Sequence, residues 1–463
     1  MNLLLVIPLH RSYVIQPNLG LGYIASSIRK TGHGVTILDC VKDKINLNTF
    51  LSILRTSTYD IVGFHMFSQD YAFIKALSKA IKEINPKIYT IVGGPHPSSD
   101  PYGIIQDFPD IDFVFSGEGE NAVPVLLNLL SQRCLDNSEL SKIDGLYWKD
   151  RPRGQNYENS NSYGIVNDLD SLPFPAWDLM RPDRYPQAPH GAFVKQFPSA
   201  PIILTRGCSF QCTFCAGARH SPRKRSIGNV MEEIEFLNRQ YGVKELIIED
   251  ENFTMHRKLL HEFCESLLNT DRGYTWNCAS GIRLSCINQE DMLLMKKAGC
   301  HSVSVGIEFG SQRIFDLTRK GENLEAIREK IDILAKTDVT ITGFFLLGIP
   351  GETFNEMKET IKFALSLPLH RVQINNFMPL PGSEIWENLK KDGKLKDIDY
   401  SHFFVHDVSY VSEGIKKTDI KQLQRKGYLK FYFRWKIIKR ILSDIRSFSH
   451  LKYLIQRFFD ALF

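Results

Sequence analysis

Short apolar runs alternate with amphipathic stretches over the first 130 residues or so, and this alternation constrains the fold more than any other feature. Five of the runs have the length and composition of buried strands: Leu3–Ile7, Gly34–Leu38, Ile61–Phe64, Ile88–Val92 and Phe113–Phe115. The stretches between them favour helices. Strands separated by helices form a parallel sheet covered on both faces, so we predict a doubly wound, Rossmann-like α/β domain over residues 1–135.

The same alternation resumes after Pro201 and predicts a second α/β domain over residues 196–385. Its strands are expected at Ile202–Thr205, Glu245–Ile248, Ser302–Ile307, Thr340–Leu347 and Val372–Phe377, with a further strand ending at Ile282. Six strand–helix units in order would form a partial (β/α)6 barrel. In both predicted domains, ligands would bind at the carboxyl ends of the strands.

The segments outside these two domains have a different composition. Residues 136–195 are polar and then rich in proline, which predicts a linker between the domains. Residues 386–463 are expected to form a helical extension that is both basic and aromatic. Its last part, residues 416–463, has 13 Lys and Arg residues against 3 Asp residues. For this tail we expect packing on the barrel or peripheral contact with an anionic membrane, rather than nucleic-acid binding.

The cysteine content indicates a reducing environment. The chain has nine cysteines, an odd number, and six of them are scattered singly in apolar contexts. This pattern argues against a disulfide framework, and we expect a cytoplasmic protein, with membrane association through the tail as a further expectation. No apolar run reaches the length that would cross a membrane.

Three cysteines are clustered directly after the first strand of the second domain. Cys208, Cys212 and Cys215 have the spacing C-x3-C-x2-C, so their thiols must lie on one tight loop. Three thiolates without a fourth suit a [4Fe–4S] cluster in which one iron has no protein ligand. Soft thiolates also bind zinc, and a zinc site completed by His220 or a distant cysteine is the alternative.

This motif, with Phe214 just before its last cysteine, resembles that of the radical S-adenosylmethionine (SAM) superfamily. The resemblance implies that Cys208, Cys212 and Cys215 hold the catalytic cluster. It extends to the segments 249–253, 281–283, 306–311 and 343–352, which follow later strands. It implies that five residues lie near bound SAM: Phe214, Asp250, Arg283, Glu308 and Gly348. Glu308 and Arg283 could equally be structural ion-pair residues, and the 348–353 turn could be a plain helix entry.

The N-terminal domain resembles that of the cobalamin-binding subfamily. The segments 17–25, 32–35, 93–96 and 117–120, together with Asp39, carry this resemblance. It implies cobalamin contacts from Tyr23, Ser68, Gly93, Gly94, Gly117 and Glu118. The Asp-x-His-x-x-Gly loop that supplies a cobalt ligand in many cobalamin proteins is absent, as is common in this subfamily. A domain that has lost cobalamin, or that binds another ligand, is the alternative.

Together the resemblances imply an enzyme that cleaves SAM to a 5′-deoxyadenosyl radical and methylates an unactivated carbon with the help of cobalamin. Its substrate would be a small molecule or a lipid, and its electron donor a protein such as flavodoxin or ferredoxin. Relatives that cyclise or oxidise their substrates are the first alternative. A non-catalytic cobalamin or iron–sulfur sensor is the second. Enzymes that methylthiolate tRNA carry a second cysteine triplet in their N-terminal domain. Only Cys40 and Cys134 precede the motif here, so this reaction fits less well.

Overall fold

The computed structural model of the protein describes residues 1–12, 15–150, 155–158, 163–187, 194–218, 220–396, 398–445 and 448–462. The chain divides into two compact units. The first contains residues 1–185 and 399–401, and the second contains residues 186–398 and 402–463.

The first unit is built on a seven-stranded sheet with the order β2-β1-β3-β4-β5-β6-β7. Its strands are β1 (Asn2–Ile7), β2 (Gly34–Asp39), β3 (Ile61–His65), β4 (Tyr89–Gly93), β5 (Phe113–Phe115), β6 (Leu146–Asp150) and β7 (Gln155–Glu158). Strands β1 to β5 are parallel, whereas β6 and β7 are antiparallel additions at one edge. Because the strand order reverses at β1, the loops after β1 and β3 diverge and leave a crevice between them.

Helices cover both faces of this sheet. They are α1 (Leu19–Lys30), α2 (Cys40–Asp43), α3 (Leu47–Thr56), α4 (Tyr71–Ile84), α5 (Pro95–Ser99), α6 (Pro101–Asp107), α7 (Ala122–Ser131) and α8 (Asn137–Leu140). Alternate residues of β1 enter different cores: Leu3 and Leu5 belong to one, and Leu4 and Val6 to the other. Burial on both faces explains why these strands are continuous apolar runs, and it confirms the predicted α/β domain.

The structure differs from the linker expected over residues 136–195. Strands β6 and β7 fall in this segment and extend the sheet, and Trp177 is only 1% exposed. The amide of Ala176 donates to the carbonyl of Gly22 at 3.0 Å, so the segment packs against α1. A proline-rich composition limits regular structure but does not prevent burial. Residues 136–185 therefore pack as part of the first unit instead of forming a linker.

The second unit contains a six-stranded parallel sheet with the order β15-β14-β13-β12-β11-β8 and a small hairpin of β9 and β10. Its strands are β8 (Ser199–Ile202), β9 (Thr205–Arg206), β10 (Arg223–Lys224), β11 (Glu245–Ile248), β12 (Thr275–Ile282), β13 (Cys300–Glu308), β14 (Thr340–Leu347) and β15 (Arg371–Asn376). Sequential parallel strands confirm the partial barrel. The expected strand Ile202–Thr205 is wrong in its bounds. Strand β8 ends at Ile202, and the amides of Leu204 and Thr205 donate to the buried Asp250 instead of to the six-stranded sheet.

The helices of this unit follow the strands and then continue beyond them. They are α9 (Ile227–Tyr241), α10 (Arg257–Leu268), α11 (Gln289–Lys297), α12 (Gln312–Leu317), α13 (Leu324–Leu334), α14 (Phe354–Ser366), α15 (Glu384–Lys391), α16 (Lys417–Tyr432), α17 (Trp435–Asp444) and α18 (Phe448–Leu462). None of the helices in the described part of the chain is long and apolar enough to cross a membrane.

The C-terminal extension is helical, as expected, and α16 packs along the edge strand β15. The hydroxyl of Tyr428 accepts from the amide of Ile374 at 2.8 Å and donates to its carbonyl at 3.1 Å. Tyr432 repeats this pattern with Val372. These tyrosines satisfy backbone groups that an exposed sheet edge would leave open, so packing on the barrel is confirmed for α16.

Candidate active site

The three clustered cysteines lie on the loop between β9 and β10, at the carboxyl end of the second sheet. Cys212 is buried, Cys208 is partly exposed and Cys215 is exposed. The loop begins at Gly207, whose φ of +93° and close approach to the carbonyl of Ser221 leave no room for a side chain. Among the described residues, no three Cys, His, Asp or Glu side chains have the spacing of a metal site.

The chemistry around this loop nevertheless fits thiolate ligands. The guanidinium of Arg283 lies 4.0 Å from the sulfur of Cys212 and 3.8 Å from the ring centroid of Phe210. Lys320 is buried beside it, and burial alone would lower its pKa. The carboxylates of Glu308 and Glu322 and the thiol of Cys212 outweigh that effect and raise the pKa of Lys320 above its ordinary value. Two cations therefore flank Cys212 and would offset the negative charge of a group bound through thiolates, although burial raises the pKa of the Cys208 thiol and raises that of Cys215 to about 11.

Hydrogen bonds from three directions hold the loop. The amide of Thr213 donates to the carbonyl of Thr318 at 3.0 Å, and its carbonyl accepts from the amide of Ile385 at 3.0 Å. The amide of Gly207 donates to the carboxylate of Glu251, which follows β11. Because these contacts come from α12, α15 and the β11 loop, the position of the cysteines depends on much of the barrel.

Asp250, expected near SAM, accepts hydrogen bonds from the segment before the cysteine loop. It is 2% exposed, and its oxygens accept from the amides of Leu204 and Thr205 at 2.9 and 2.7 Å and from the Thr205 hydroxyl at 2.6 Å. Burial raises its pKa to about 7, although these hydrogen bonds act in the opposite direction. The side chain thus joins the β11 loop to the segment that leads into the cysteine loop.

Arg283 and Glu308 also have partners within the protein. Arg283 donates to the carbonyl of Lys320 and to the hydroxyl of Ser285, the latter at 2.9 Å. Glu308 ends β13 with a φ of +67° and accepts from Lys320 at 3.2 Å. Backbone strain of this kind at a non-glycine residue commonly marks a functional position.

Phe214 and Gly348 complete the expected SAM contacts. Phe214 is partly exposed and packs edge-to-face on the buried Phe309, with the ring centroids 5.9 Å apart. Gly348 has a φ of +86°, and its amide donates to Glu352 at 2.6 Å. Burial raises the pKa of Glu352 to about 8, although its hydrogen bonds with the amides of Gly348 and Ile349 act against this.

The raised pKa of Glu352 predicts a pH-dependent stability that the Glu352→Gln variant should lack. The ordinary pKa is 4.5 and the folded value is about 8, so the unfolded chain loses the proton first. As pH rises from about 5 to about 8, the wild type should lose up to about 1.4 kcal/mol of unfolding free energy per pH unit relative to the variant. Of the neighbouring charges, Glu356 raises this pKa and Arg313 lowers it. Urea unfolding of both proteins at pH 5, 6.5 and 8 measures the effect. A difference in unfolding free energy between the two proteins that is the same at all three pH values would contradict the prediction.

In the first unit, several of the expected cobalamin contacts meet where β1, β3 and β4 end. Ser68 is buried and hydrogen-bonds with His96 at 2.8 Å. Gly94 has a φ of +112°, and a side chain there would approach the backbone of Met66. A side chain at Gly93 would meet only ordinary contacts with Phe115, so Gly93 leaves more open space than Gly94. His10, after β1, pairs with the buried Asp70 at 2.8 Å.

The other expected cobalamin residues have roles within the fold. Tyr23 is 3% exposed in α1. Gly117 forms a bridge with Gly164, whose carbonyl would lie 2.3 Å from an added Cβ. Glu118 accepts from the amide of Val166 at 2.6 Å. Tyr23 is therefore buried, Glu118 is hydrogen-bonded within the protein, and the backbone of Gly164 fills the space beside Gly117.

Comparisons with known proteins agree with the domain types. Residues 202–364 match the model of the Radical SAM superfamily, and residues 6–127 match that of the B12 binding domain. The chain thus carries a B12-binding domain followed by a radical SAM domain. This finding confirms both resemblances that the motifs indicate.

Individual relatives span most of the chain. An uncharacterized methyltransferase of Pyrococcus horikoshii is 28% identical over 99% of this chain and 97% of its own length. The anaerobic magnesium-protoporphyrin IX monomethyl ester cyclase of Rubrivivax gelatinosus is 25% identical over 95% of this chain and 75% of its own. The radical SAM methyltransferase TsrM from Kitasatospora setae, solved with cobalamin and a [4Fe–4S] cluster, shares the fold with a TM-score of 0.68. It is 16% identical, and the match covers 85% of this chain and 75% of that one.

Proposed function

We propose that this protein is a cobalamin-dependent radical SAM methyltransferase that acts on an unactivated carbon of a small molecule. The observation that carries this proposal is the loop of three thiols flanked by Arg283 and Lys320, at the carboxyl end of a partial barrel. A B12-binding domain in the same chain, and a full-length relative named as a methyltransferase, support methyl transfer as the outcome.

The cluster and SAM would bind at the carboxyl end of the second sheet. Cys208, Cys212 and Cys215 would hold the cluster. When bound, the cluster supplies the electron that cleaves SAM to methionine and a 5′-deoxyadenosyl radical, and cobalamin supplies the methyl group. Phe214, Glu308 and the backbone at Gly348 would contact SAM. The side chains of Arg283 and Asp250 already bind other groups of the protein, so these residues would act mainly by positioning. Arg283 would position the thiol of Cys212, and Asp250 would position the segment that precedes the cysteine loop.

Cobalamin would bind in the crevice of the first unit, where the strand order reverses. Ser68 follows β3, which borders the crevice, and Gly93 and Gly94 lie at the end of the neighbouring β4; these three are the contacts we favour. Tyr23, Gly117 and Glu118 would support this crevice through their packing and hydrogen bonds. Parallel sheets of this order bind ligands at such a crevice.

Anaerobic reconstitution with iron, sulfide and hydroxocobalamin tests the proposal. With dithionite and SAM labelled as CD3, we expect 5′-deoxyadenosine, and a mass increase of 17 in the methylated substrate (one CD3 replacing one hydrogen). Deoxyadenosine with an altered but unlabelled substrate would favour a cyclase or oxidoreductase, as the Rubrivivax relative suggests. If the protein with a fully loaded cluster forms no deoxyadenosine, the result would contradict the proposed enzymatic function. It would favour the non-catalytic cobalamin or iron–sulfur sensor.

Two partner proposals follow from this chemistry. A low-potential protein such as flavodoxin or ferredoxin would supply the electron. Peripheral membrane contact through the C-terminal region, residues 386–463, stays a prediction. It is supported by Trp435 and Phe448, which are 76% and 83% exposed near several lysines. Trp and Phe beside lysines favour a membrane interface. Absence of co-sedimentation with anionic vesicles would contradict this contact.

A further inference from the structure

A cavity of about 630 Å³ lies in the second unit between the barrel sheet and the C-terminal helices. Side chains of β12 to β15 form its floor, and α16, α17 and α18 form its roof. This volume is in the range of pockets that bind small molecules. The proposed cluster, SAM and cobalamin contacts include none of the residues that line this cavity.

The floor of the cavity is polar. It includes Ser302, Ser304, Thr342, Arg371 and Gln373. The hydroxyls of Ser304 and Thr342 make no hydrogen bond with any described residue, so they are available to a ligand. No carboxylate is among the described residues that line the cavity, whereas Arg371 supplies a positive charge. This floor therefore suits a polar or acidic group that accepts hydrogen bonds.

The roof is apolar, and so is the mouth. Ile438 and Ile441 of α17 face the cavity, and so does Ile445, which directly follows the helix. The lining residues Phe433, Leu442, Ile455 and Phe459 are also exposed, by 67%, 60%, 48% and 52% respectively. Side chains that both line a cavity and contact solvent lie at its opening. An apolar opening beside an apolar roof favours entry of a hydrocarbon rather than of a hydrated molecule.

The cavity is also connected to the cysteine loop. Ser280, at its edge, donates to Glu249 at 2.7 Å. Glu249 begins the same segment in which Asp250 and Glu251 hold the backbone at Thr205 and Gly207. A ligand in the cavity would therefore lie close to the segment that positions the proposed cluster.

We propose that the cavity holds the substrate, and that this substrate is an amphiphile with a long apolar chain. The chain lies under α17 and α18, and the polar end lies on the hydroxyls of β13 and β14. The inference rests on the proposed function for the reaction, but the binding itself does not depend on radical chemistry. It narrows the substrate from any small molecule to a lipid-like one.

Binding of cis-parinaric acid, a fatty acid that fluoresces in apolar surroundings, tests the proposal. The reconstituted full-length protein, without reductant, should bind it, and palmitate but not butyrate should displace it. Ile441→Trp fills the roof and should weaken binding at least about tenfold. The matched control is Ile333→Trp, at a 39% exposed position on α13 outside the cavity, and it should bind like the wild type.

A second variant covers the case in which Ile441→Trp does not fold. Thr342→Val is nearly isosteric and removes one floor hydroxyl, so it should weaken binding about threefold to tenfold. Equal affinity of the wild type and a folded Ile441→Trp, or displacement by butyrate, would overturn the proposal. Deoxyadenosine formation, measured on the same preparation, separates this failure from failure of the proposed function.

Discussion

The Cys212→Ala variant should form no 5′-deoxyadenosine above background, a loss of at least about 1,000-fold relative to the wild type. Cys212 is the buried member of the three cysteines, and its sulfur is the one that faces Arg283. Its removal leaves two thiolates, which cannot hold a cluster that needs three. Iron content after anaerobic reconstitution should fall together with the absorbance near 400 nm that is typical of such clusters.

The control for this result is Cys134→Ala. Cys134 is exposed and lies in the first unit, so its loss should change neither iron content nor deoxyadenosine formation. Normal deoxyadenosine formation by Cys212→Ala would contradict the proposed cluster ligands. Binding of zinc but not iron by the wild type, with no deoxyadenosine formed, would favour the zinc alternative.

The sequence predicts the cysteine loop well because the information is local. Three cysteines within eight residues, directly after a strand, must lie together whatever the rest of the chain does. The cations that face them could not be predicted in the same way. Arg283 is 71 residues away from Cys212, and Lys320 comes from the turn after α12. Nothing near Lys320 in the sequence distinguishes it from a surface lysine, and only the fold brings it to the loop.

Glycines at the ends of strands were a less direct guide. The sequence indicates that Gly117 lacks a side chain for a reason, and a resemblance supplies cobalamin as that reason. In the structure, the backbone of Gly164 approaches Gly117 closely, which accounts for the missing side chain without a cofactor. Gly164 lies in the segment 136–195, and its composition alone does not reveal this approach. A positive φ reports a close approach, but the sequence does not say which partner approaches.

Buried carboxylates show the same ambiguity, and Asp250 gives the sharpest test of it. A carboxylate at the end of a barrel strand could contact SAM or could hold the backbone. The structure favours the second role, because the amides of Leu204 and Thr205 and the Thr205 hydroxyl all donate to Asp250. Leu204 and Thr205 are almost completely buried, so water cannot replace the lost acceptor.

Asp250→Ala should therefore lower the free energy of unfolding by about 3 kcal/mol, since each buried donor left without a partner costs about 1–3 kcal/mol. Cluster loading should fall as well, because Thr205 is only three residues before Cys208. Urea unfolding of the cofactor-free protein, followed by tryptophan fluorescence, measures the first effect, and iron content measures the second.

Glu249→Ala is the matched control, because Glu249 is a partly exposed carboxylate that precedes Asp250 and accepts from the exposed Ser280. It should change the unfolding free energy by less than about 1 kcal/mol. If Asp250 instead served mainly to contact SAM, Asp250→Ala would unfold like the wild type, load iron normally and raise only the KM for SAM. The two roles thus predict opposite results in a measurement that needs no substrate, which makes the variant informative before the substrate is identified.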